Sequence, residues 1–464
     1  MSTNSSFNRS FYALAGVLAV LCLALLMLTT VQGPRLRHAQ LDRSKVTAQP
    51  NQRLILYASQ QLAGESAKRV SIVPKAGFTA TVSGNAIVVQ FSERLRYNTR
   101  YTVKAPGVKV VPQQRQATLT YTFKTADPTL YYIHRNYPAD TNNTSKKPDE
   151  IVRTTLGTTK RQTIFTAPKI QDYVLLGDSI VVATINDDNT TSLQLVDVRT
   201  KKVQHLSLPA KGMLGHLRSA PNRTAFGFSF TSNEQGNAKA YEDNLFIVDL
   251  SRGRTAYPVN GLNRKPLQII DWQFAPDGTT VLAQTYDLNA LLIDTVSHKE
   301  PIPLGRVAAL GNFSYNGAKI ALDSQKGDPF IFDAVKHTPS AVQTPKIAGG
   351  ATYPRELLLL PNSEGYVQQV QLVSNHGLTI TPYILLNRQG MQRQLYRASP
   401  KTDISSYYVS PNDHLVAVEA AAIDVGAYDT YANNPKSTNV HTLLVDTASK
   451  DVVKDISGFN VTWQ

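Results

Sequence analysis

Six polar residues recur at one position in a series of apolar segments, and two of them are carboxylates. Each lies eight residues after the start of a turn: Thr184, Ser229, Gln284, Asp323, Gln369 and Glu419. If the segments are equivalent strands of a repeating fold, Asp323 and Glu419 line one face of it. Two carboxylates there could act as general acid and base, or contact a ligand or ion. The alternative is structural, because a strand leaves the core and meets water at this point. We take Asp323 and Glu419 as candidate binding residues and predict no catalytic residue.

Motifs of the common catalytic and cofactor sites are absent from the sequence. The nine histidines show no HExxH spacing, and a single cysteine, Cys22, cannot form a cysteine-rich zinc site. No G-x-S-x-G elbow, P-loop or dinucleotide fingerprint occurs. The sequence therefore predicts a protein that is not an enzyme and has no metal and no cofactor.

The turns that set the eight-residue spacing form a repeat. The clean copy is FAPDG, Phe274–Gly278, whose turn starts at Pro276, and degenerate copies start at Leu176, Pro221, Tyr315, Pro361 and Pro411, so successive starts are 45, 55, 39, 46 and 50 residues apart. Most copies continue into a second apolar strand that ends in Asp or Asn: Asp197, Asp249, Asp294, Asp333, Asn387 and Asp446. These side chains are expected to accept hydrogen bonds from the following turn amides. Multi-stranded repeats of about 40–50 residues are typical of β-propeller blades.

With their F-S-P-D-G-like turns, the repeats resemble the TolB-like and WD-repeat-like β-propellers, over residues 128–464. The final GFNVTWQ looks like the first strand of a blade that has no further strands, whereas the strands within Leu130–Ala167 lack such a first strand. Pairing the two would close the ring and leave no exposed edge. The ring then has about seven blades, closed by its N- and C-terminal strands, although six or eight blades stay open.

Residues 51–127 show a different pattern. Short runs such as AIVVQF and RYTVKA alternate between apolar and polar residues and are separated by turn signals, which is typical of half-buried strands in a small β-sandwich. The stretch SGNAIVVQFSERLRYNTRYTVKAPGV followed by YTFKTAD resembles the bacterial Ig-like domains of surface proteins. The resemblance implies core positions for Leu95, Tyr101 and Phe123 and a role as spacer or adhesive module. Residues 32–50 are predicted to be a linker.

Residues 11–31, Phe11 to Val31, contain no charge and are predicted to form a single transmembrane anchor after a short tail, residues 1–10. At about 1.5 Å per residue this helix would span roughly the 30 Å hydrocarbon core of a bilayer. A cleaved signal peptide is the alternative. Basic residues follow the segment more closely than they precede it, and the positive-inside rule would then place the large domains in the cytoplasm. The domain resemblances favour the opposite orientation, with these domains extracytoplasmic at the cell membrane.

The formal net charge of +14 is unevenly distributed. Residues 41–127 hold 13 basic and 4 acidic side chains, a net +9, whereas residues 128–464 hold 32 basic and 30 acidic side chains, a net +2. The first region could contact an anionic wall polymer or anionic headgroups through screened, additive attraction. The alternative is a solvated basic surface without a partner.

The predicted fold class is therefore all-β, with an N-terminal single transmembrane helix, an Ig-like β-sandwich and a β-propeller. The predicted function is a membrane-anchored, extracytoplasmic binding or scaffolding protein of the bacterial envelope. Its predicted partners are the lipid bilayer, through residues 11–31, and an envelope protein or anionic wall polymer, with no nucleic acid. The alternative is an envelope hydrolase that acts on glycan or peptide through carboxylates of the propeller channel.

Overall fold

A computed structural model describes residues 11–22, 33–111, 116–136, 147–233, 240–262, 264–297, 299–375, 379–423, 428–429, 431 and 435–464. The chain divides into two compact units, Met1–Ala126 and Asp127–Gln464. Nearly all regular structure in the described residues is β-strand, numbered β1 to β35 in chain order. The all-β part of the predicted fold class is confirmed.

The predicted transmembrane helix is not confirmed. Residues 11–22 are helical, and residues 23–31 of the predicted span lie outside the described residues. Within the described part of the chain, no helix is both long enough and apolar enough to cross a membrane. The described helical residues, 11–22, would rise roughly 18 Å at about 1.5 Å per residue, less than the roughly 30 Å hydrocarbon core. The fold class that included this helix is therefore wrong on that point.

The first unit contains two antiparallel sheets that share one core. Its strands are β1 (Leu36–Gln40), β2 (Arg53–Ala58), β3 (Ser71–Val73), β4 (Phe78–Ser83), β5 (Ala86–Phe91), β6 (Arg100–Lys109) and β7 (Gln116–Lys124), with a short helix at Lys45–Ala48 and a 3₁₀ turn at Gly64–Ala67. The sheet orders are β1-β2-β5-β4 and β3-β6-β7. Leu95, Tyr101 and Phe123 all lie in the shared core. The Ig-like assignment itself stays a prediction.

Part of the predicted linker is also structured. The strand β1 pairs with β2, and Leu36 and Ala39 pack against the core of the first unit. Val46, in the short helix, is completely buried. The sequence does not show an apolar pattern here, because most residues around these three are polar. Strand pairing rather than a continuous apolar face holds the segment in place.

The second unit consists of seven four-stranded antiparallel sheets. In the described residues, edge strands of neighbouring sheets contact each other in five of the seven neighbouring pairs, which gives the arrangement of a β-propeller with these strands innermost. From inner to outer strand, blade 1 is β35 (Phe459–Trp463), β8 (Thr129–His134), β9 (Asp149–Thr155) and β10 (Arg161–Ala167); blade 2 is β11 (Ile170–Leu176), β12 (Ser179–Ile185), β13 (Thr191–Asp197) and β14 (Val203–Leu206). In the same order, blade 3 is β15 (Gly212–Ser219), β16 (Ala225–Ser232), β17 (Asn244–Asp249) and β18 (Tyr257–Pro258); blade 4 is β19 (Asp271–Phe274), β20 (Thr280–Gln284), β21 (Asn289–Asp294) and β22 (Ile302–Arg306); blade 5 is β23 (Ala309–Phe313), β24 (Lys319–Asp323), β25 (Pro329–Asp333) and β26 (Thr338–Ala341). Blade 6 is β27 (Gly350–Leu359), β28 (Tyr366–Ser374), β29 (Ile380–Arg388) and β30 (Met391–Arg397), and blade 7 is β31 (Thr402–Val409), β32 (Leu415–Ala422), β33 (His441–Asp446) and β34 (Val452–Ser457).

The C-terminal strand closes the ring. It pairs antiparallel with β8, the first strand of the unit, so blade 1 takes its inner strand from the far end of the chain. Phe459, Val461 and Trp463 are buried along it. Its backbone is held from both sides, because the Tyr173 hydroxyl donates to the Asn460 carbonyl (2.9 Å) and Arg223 donates to the Trp463 carbonyl (2.7 Å). Each of the seven sheets therefore has neighbours on both faces.

The aspartates at the ends of the third strands stabilise turns. In each case a carboxylate oxygen accepts hydrogen bonds from backbone amides two or three residues later, which holds at Asp197, Asp249, Asp294, Asp333 and Asp446. Hydrogen bonds to the charged form lower the pKa of Asp294 to about 2 and lower the pKa of Asp333 in the same way. These five carboxylates are therefore hydrogen-bonded to turn amides at the ends of the third strands and do not form a ring of unpaired acids.

Aromatic side chains of three inner strands donate hydrogen bonds to the inner strand of the preceding blade. Trp272 in β19 donates to the His216 carbonyl (3.0 Å), and the Tyr407 hydroxyl in β31 lies 2.9 Å from the Glu356 carbonyl oxygen. Tyr173 in β11 makes the equivalent bond to Asn460, described above. In all three pairs the acceptor lies where the neighbouring strand bulges and lacks a regular sheet partner. The aromatic hydroxyl or indole N–H therefore replaces a backbone hydrogen bond at the centre of the ring.

Replacing Tyr407 with Phe is expected to lower the free energy of unfolding by about 1–3 kcal/mol. The hydroxyl is within hydrogen-bonding distance of the Glu356 and Val367 carbonyls, and its loss removes this donor from both. Urea unfolding of the full chain measures the change. Tyr366→Phe is the matched control, because the Tyr366 hydroxyl has no such contact in the described structure, and it should change stability by less than about 0.5 kcal/mol. Equal effects of the two changes would contradict this role.

Candidate functional site

The inner strands of the propeller are irregular where they face the channel. Six of the seven interrupt their register with a second strand: β11, β15, β23, β27, β31 and β35. A bulge leaves one or two residues outside the regular ladder and turns a side chain toward a new direction. Asp172, Arg218, Glu356 and Asn460 lie at or beside these interruptions. The bulges therefore place polar side chains on the axis of an otherwise apolar ring.

The Arg218 guanidinium is the central cation of this group. Its Nη2 lies 3.0 Å from Oδ1 of Asp271 in the next blade, and Nδ1 of His216 lies 3.5 Å from the same oxygen. The Trp272 amide also donates to this oxygen, at 2.9 Å. Asp271 thus joins blades 3 and 4 and is the one carboxylate of the group that pairs directly with arginine.

Glu356 in blade 6 experiences the charges of four other blades. Burial raises its pKa to about 7; the Arg218 guanidinium opposes the increase, and the carboxylates of Asp323, Asp271 and Glu419 add to it. A side chain in one blade can interact with so many others only near the axis of the ring. Solvent nevertheless reaches Glu356, and in the described structure its carboxylate accepts no hydrogen bond. It is enclosed by protein and open to the channel.

Asp172 in blade 2 has a similar environment. Burial raises its pKa to about 7, against the Tyr173 amide and the positive charges of Arg218, Lys436 and Arg135. Its Oδ1 accepts hydrogen bonds from the Tyr173 amide (2.7 Å) and from the Asn460 side chain (2.5 Å). Its other oxygen, Oδ2, accepts none from the described residues. One oxygen therefore fixes the carboxyl group and the second is available to a ligand.

A cavity of about 690 Å³ opens beside Asp172 and Arg218, between blades 2 and 3. Polar residues dominate its lining, which includes Gln171, His216, Ser229 and Thr231. The volume is within the range of small-molecule sites and is large enough for a long amino-acid side chain. The site can thus hold a polar group and surround it with charged and hydroxyl side chains.

The six polar residues predicted to share one face occupy equivalent positions in blades 2 to 7. Four of them pair with the first half of the inner strand of the same blade, Thr184, Ser229, Gln284 and Asp323, and Glu419 lies opposite Ser406, beside the bulge of β31. Gln369, the sixth, lies opposite the bulge of β27 and donates to the Ile404 carbonyl of the next blade (3.2 Å). Gln284 donates to the Val307 carbonyl in the same way (2.7 Å). Two of the six therefore bind inter-blade backbone and are structural.

The two candidate carboxylates have different surroundings. Glu419 is completely buried, with one oxygen 2.9 Å from the Lys436 ammonium and the other accepting from the Asn460 amide (2.5 Å). Asp323 accepts no hydrogen bond in the described structure, and burial with the nearby Asp328 carboxylate raises its pKa to about 6. Asp323 is free to contact a ligand, whereas Glu419 is occupied. Their role as binding residues stays a prediction.

The sequence reasoning missed Asp172, Arg218, Asp271 and Glu356. The available signal was a charged residue within an apolar inner strand, three to five residues before each turn, as in IQDYVLL and TYPRELLLL. Bulges bring Asp172, Arg218 and Glu356 to the axis. Asp271 lies in β19, whose register is regular, and its pairing with Arg218 depends on the neighbouring blade. Among the residues that the structure describes, no three His, Cys, Asp or Glu side chains lie close enough to hold a metal ion.

Comparisons with known proteins add no family assignment. No protein-family model and no curated protein matches the sequence. The fold resembles a proposed 6-phosphogluconolactonase from Bacteroides fragilis (13% identity, 73% of this chain and 98% of that chain, TM-score 0.41) and TolB from Acinetobacter baumannii (12%, 80% and 80%, TM-score 0.37). It also resembles an auxiliary nutrient binding protein from Bacteroides thetaiotaomicron (10%, 78% and 86%, TM-score 0.33). Likenesses this remote carry no inference about activity or ligand.

Proposed function

We propose that the propeller is a non-enzymatic binding platform that takes a cationic group of its partner, such as a lysine or arginine side chain, into the channel. The observation that carries this proposal is the convergence of unpaired carboxyl groups from three different blades. Asp172, Asp323 and Glu356 all retain at least one oxygen without a hydrogen bond in the described structure. A platform of rigid sheets holds such groups at fixed positions at little entropic cost on binding.

The charge balance of the channel favours a cation. Asp271 is neutralised by Arg218 and Glu419 by Lys436, whereas Asp172, Asp323 and Glu356 have no such partner. Burial lowers the pKa of His216 and so disfavours its charged form. This acidic channel belongs to a chain of net charge +14, whose overall field repels cations. Any affinity for a basic peptide therefore has to come from the carboxyl groups of the channel.

A pentalysine peptide tests the proposal, with fully side-chain-acetylated pentalysine as its neutral control. Isothermal titration at pH 8 and low salt is expected to show binding to the full chain and none of the acetylated peptide. The double variant Asp323→Asn/Glu356→Gln should weaken binding at least tenfold, which corresponds to about 1.4 kcal/mol. The matched control, Asp451→Asn/Glu300→Gln, removes two exposed carboxylates far from the axis and should change affinity less than twofold. Equal losses in both variants, or no binding by the unmodified chain, would contradict the proposal.

The alternative function, an envelope hydrolase, requires a pair of carboxylates that both reach the substrate. Because both oxygens of Glu419 are engaged and the side chain is completely buried, its pairing with Asp323 is not favoured. The extracytoplasmic location, with an envelope protein as partner, stays a prediction. It agrees with a channel built for a polypeptide side chain, and it is tested by whether external protease digests the large domains in intact cells.

A further inference from the structure

The outward face of the sheet β3-β6-β7 in the first unit is basic and lacks acidic residues. Alternate residues of β6 and β7 enter the core, including Tyr101 and Phe123, and the residues between them face solvent. The three strands contain four basic residues, Arg100, Lys104, Lys109 and Lys124, and no Asp or Glu. A sheet that needed only a solvated surface would ordinarily mix charges of both signs.

The strand register places like charges together. Arg100 is directly opposite Lys124, an arrangement that opposes strand pairing. Lys104 is four residues along β6 from Arg100, at roughly 13 Å for a strand rise of about 3.3 Å per residue. All three side chains are exposed, and none pairs with a carboxylate among the described residues. Lys109 differs, because its ammonium lies 2.8 Å from Glu65.

Hydroxyl groups fill the space between these cations. Thr102 lies opposite Thr122, with 3.1 Å between the two hydroxyl oxygens, and Thr120 lies opposite Lys104. Threonine hydroxyls can donate hydrogen bonds to anionic oxygens, and short β-branched side chains leave the face flat. The surface thus presents three cations and a row of donors along the direction of the strands.

We infer that this face binds a linear phosphodiester polymer, which lies along β6 and β7 with its phosphates against Arg100, Lys104 and Lys124. Charge complementarity favours an extended polyanion, because several phosphates of one chain can meet cations spaced along one strand. A bound nucleic acid would be expected to stack its bases on aromatic side chains, and the outward face of β6 and β7 has none. This inference concerns the first unit and is independent of the channel in the propeller.

A fluorescent oligomer of glycerol phosphate tests the inference by anisotropy with the full-length chain. The triple variant Arg100→Gln/Lys104→Gln/Lys124→Gln is expected to bind at least tenfold more weakly than the unmodified chain. Loss of three phosphate contacts should also reduce the slope of log affinity against log salt by about 2. The matched control, Lys299→Gln/Lys326→Gln/Lys336→Gln, makes the same change in net charge at exposed positions of the propeller. It should bind within twofold of the unmodified chain.

The outcomes separate the sources of binding. Equal losses in the two triple variants would show attraction by net charge alone and would overturn the inference. Binding to phosphatidylglycerol vesicles but not to the oligomer would point to a membrane surface and would also overturn it. Tighter binding of a single-stranded oligonucleotide than of the glycerol phosphate oligomer would do the same. Far-UV circular dichroism of each variant confirms that the sheet is intact.

Discussion

Removal of residues 457–464 is expected to abolish cooperative folding of the propeller. The deletion takes away β35, and with it the buried side chains of Phe459 and Trp463, each worth about 3–5 kcal/mol when truncated to alanine. The sum, about 6–10 kcal/mol, is comparable to the whole stability of a typical domain. It also exposes the edge of β8, which β35 otherwise covers, and removes the packing of β35 against β11 in the next blade.

Fluorescence of Trp272 measures this effect, because this completely buried residue is the remaining tryptophan after the deletion. The truncated chain should show no cooperative thermal transition of this signal, and Phe459→Ala/Trp463→Ala in the full chain should reproduce most of the loss. Val453→Ala, on the half-exposed outer strand of blade 7, is the control and should leave the transition nearly unchanged. An unaltered transition in the truncated chain would show that the ring does not depend on its last strand.

Replacement of Arg135 by Met is expected to lower the free energy of unfolding by about 3–5 kcal/mol. The Arg135 side chain is completely buried, pairs with Asp429 and lies over the Tyr431 ring at 3.6 Å. It also lies 4.7 Å from the centre of the Phe459 ring, on the strand that closes the propeller. Its removal leaves the Asp429 carboxylate, whose side chain is 3% exposed, without its cation.

A double-mutant cycle separates the charge pair from simple packing. Adding Asp429→Asn to Arg135→Met should recover part of the loss, because the buried negative charge disappears with its partner. Arg161→Met is the matched control: Arg161 also lies near an aromatic ring, Tyr132 at 5.7 Å, but is exposed, and its loss should cost less than about 0.5 kcal/mol. Additive effects of the first two substitutions would show that Arg135 and Asp429 do not act together.

The blade architecture could be predicted because it follows from local chemistry. The repeated turns and the aspartates that cap them are short-range features, and their spacing survives in sequence even where only FAPDG is a clean copy. Closure was predictable for the same reason, since GFNVTWQ and the strands after Leu130 each lacked a partner. The prediction of a membrane span rested on apolar composition alone, and no helix of the described residues is long and apolar enough to cross a membrane.

The site was harder to predict, because its members come together through irregular backbone. Asp323 was identified from its position at a strand end, and it does lie among the channel charges. Glu419 came from the same pattern, yet contacts with Lys436, 17 residues further along the chain, and with the Asn460 amide occupy both of its oxygens. Asp172 and Glu356 depend on bulges in β11 and β27, which arise only where each inner strand pairs with the second strand of its blade.

The pH dependence of pentalysine binding tests directly whether the buried carboxyl groups of the channel bind the cation. The groups that titrate are the carboxyls of Asp172, Glu356 and Asp323. The charged or titratable side chains around them are Asp271, Glu419, Arg218, His216, Lys436 and Tyr408. Burial raises the pKa of Asp172 and of Glu356 to about 7 and the pKa of Asp323 to about 6, so negative charge is lost progressively as the pH falls from 8 to 6. We expect affinity to fall steeply across this interval, while the lysines stay charged. Affinity that is constant from pH 8 to 6 and falls only below pH 5 would place binding on ordinary surface carboxylates and contradict it.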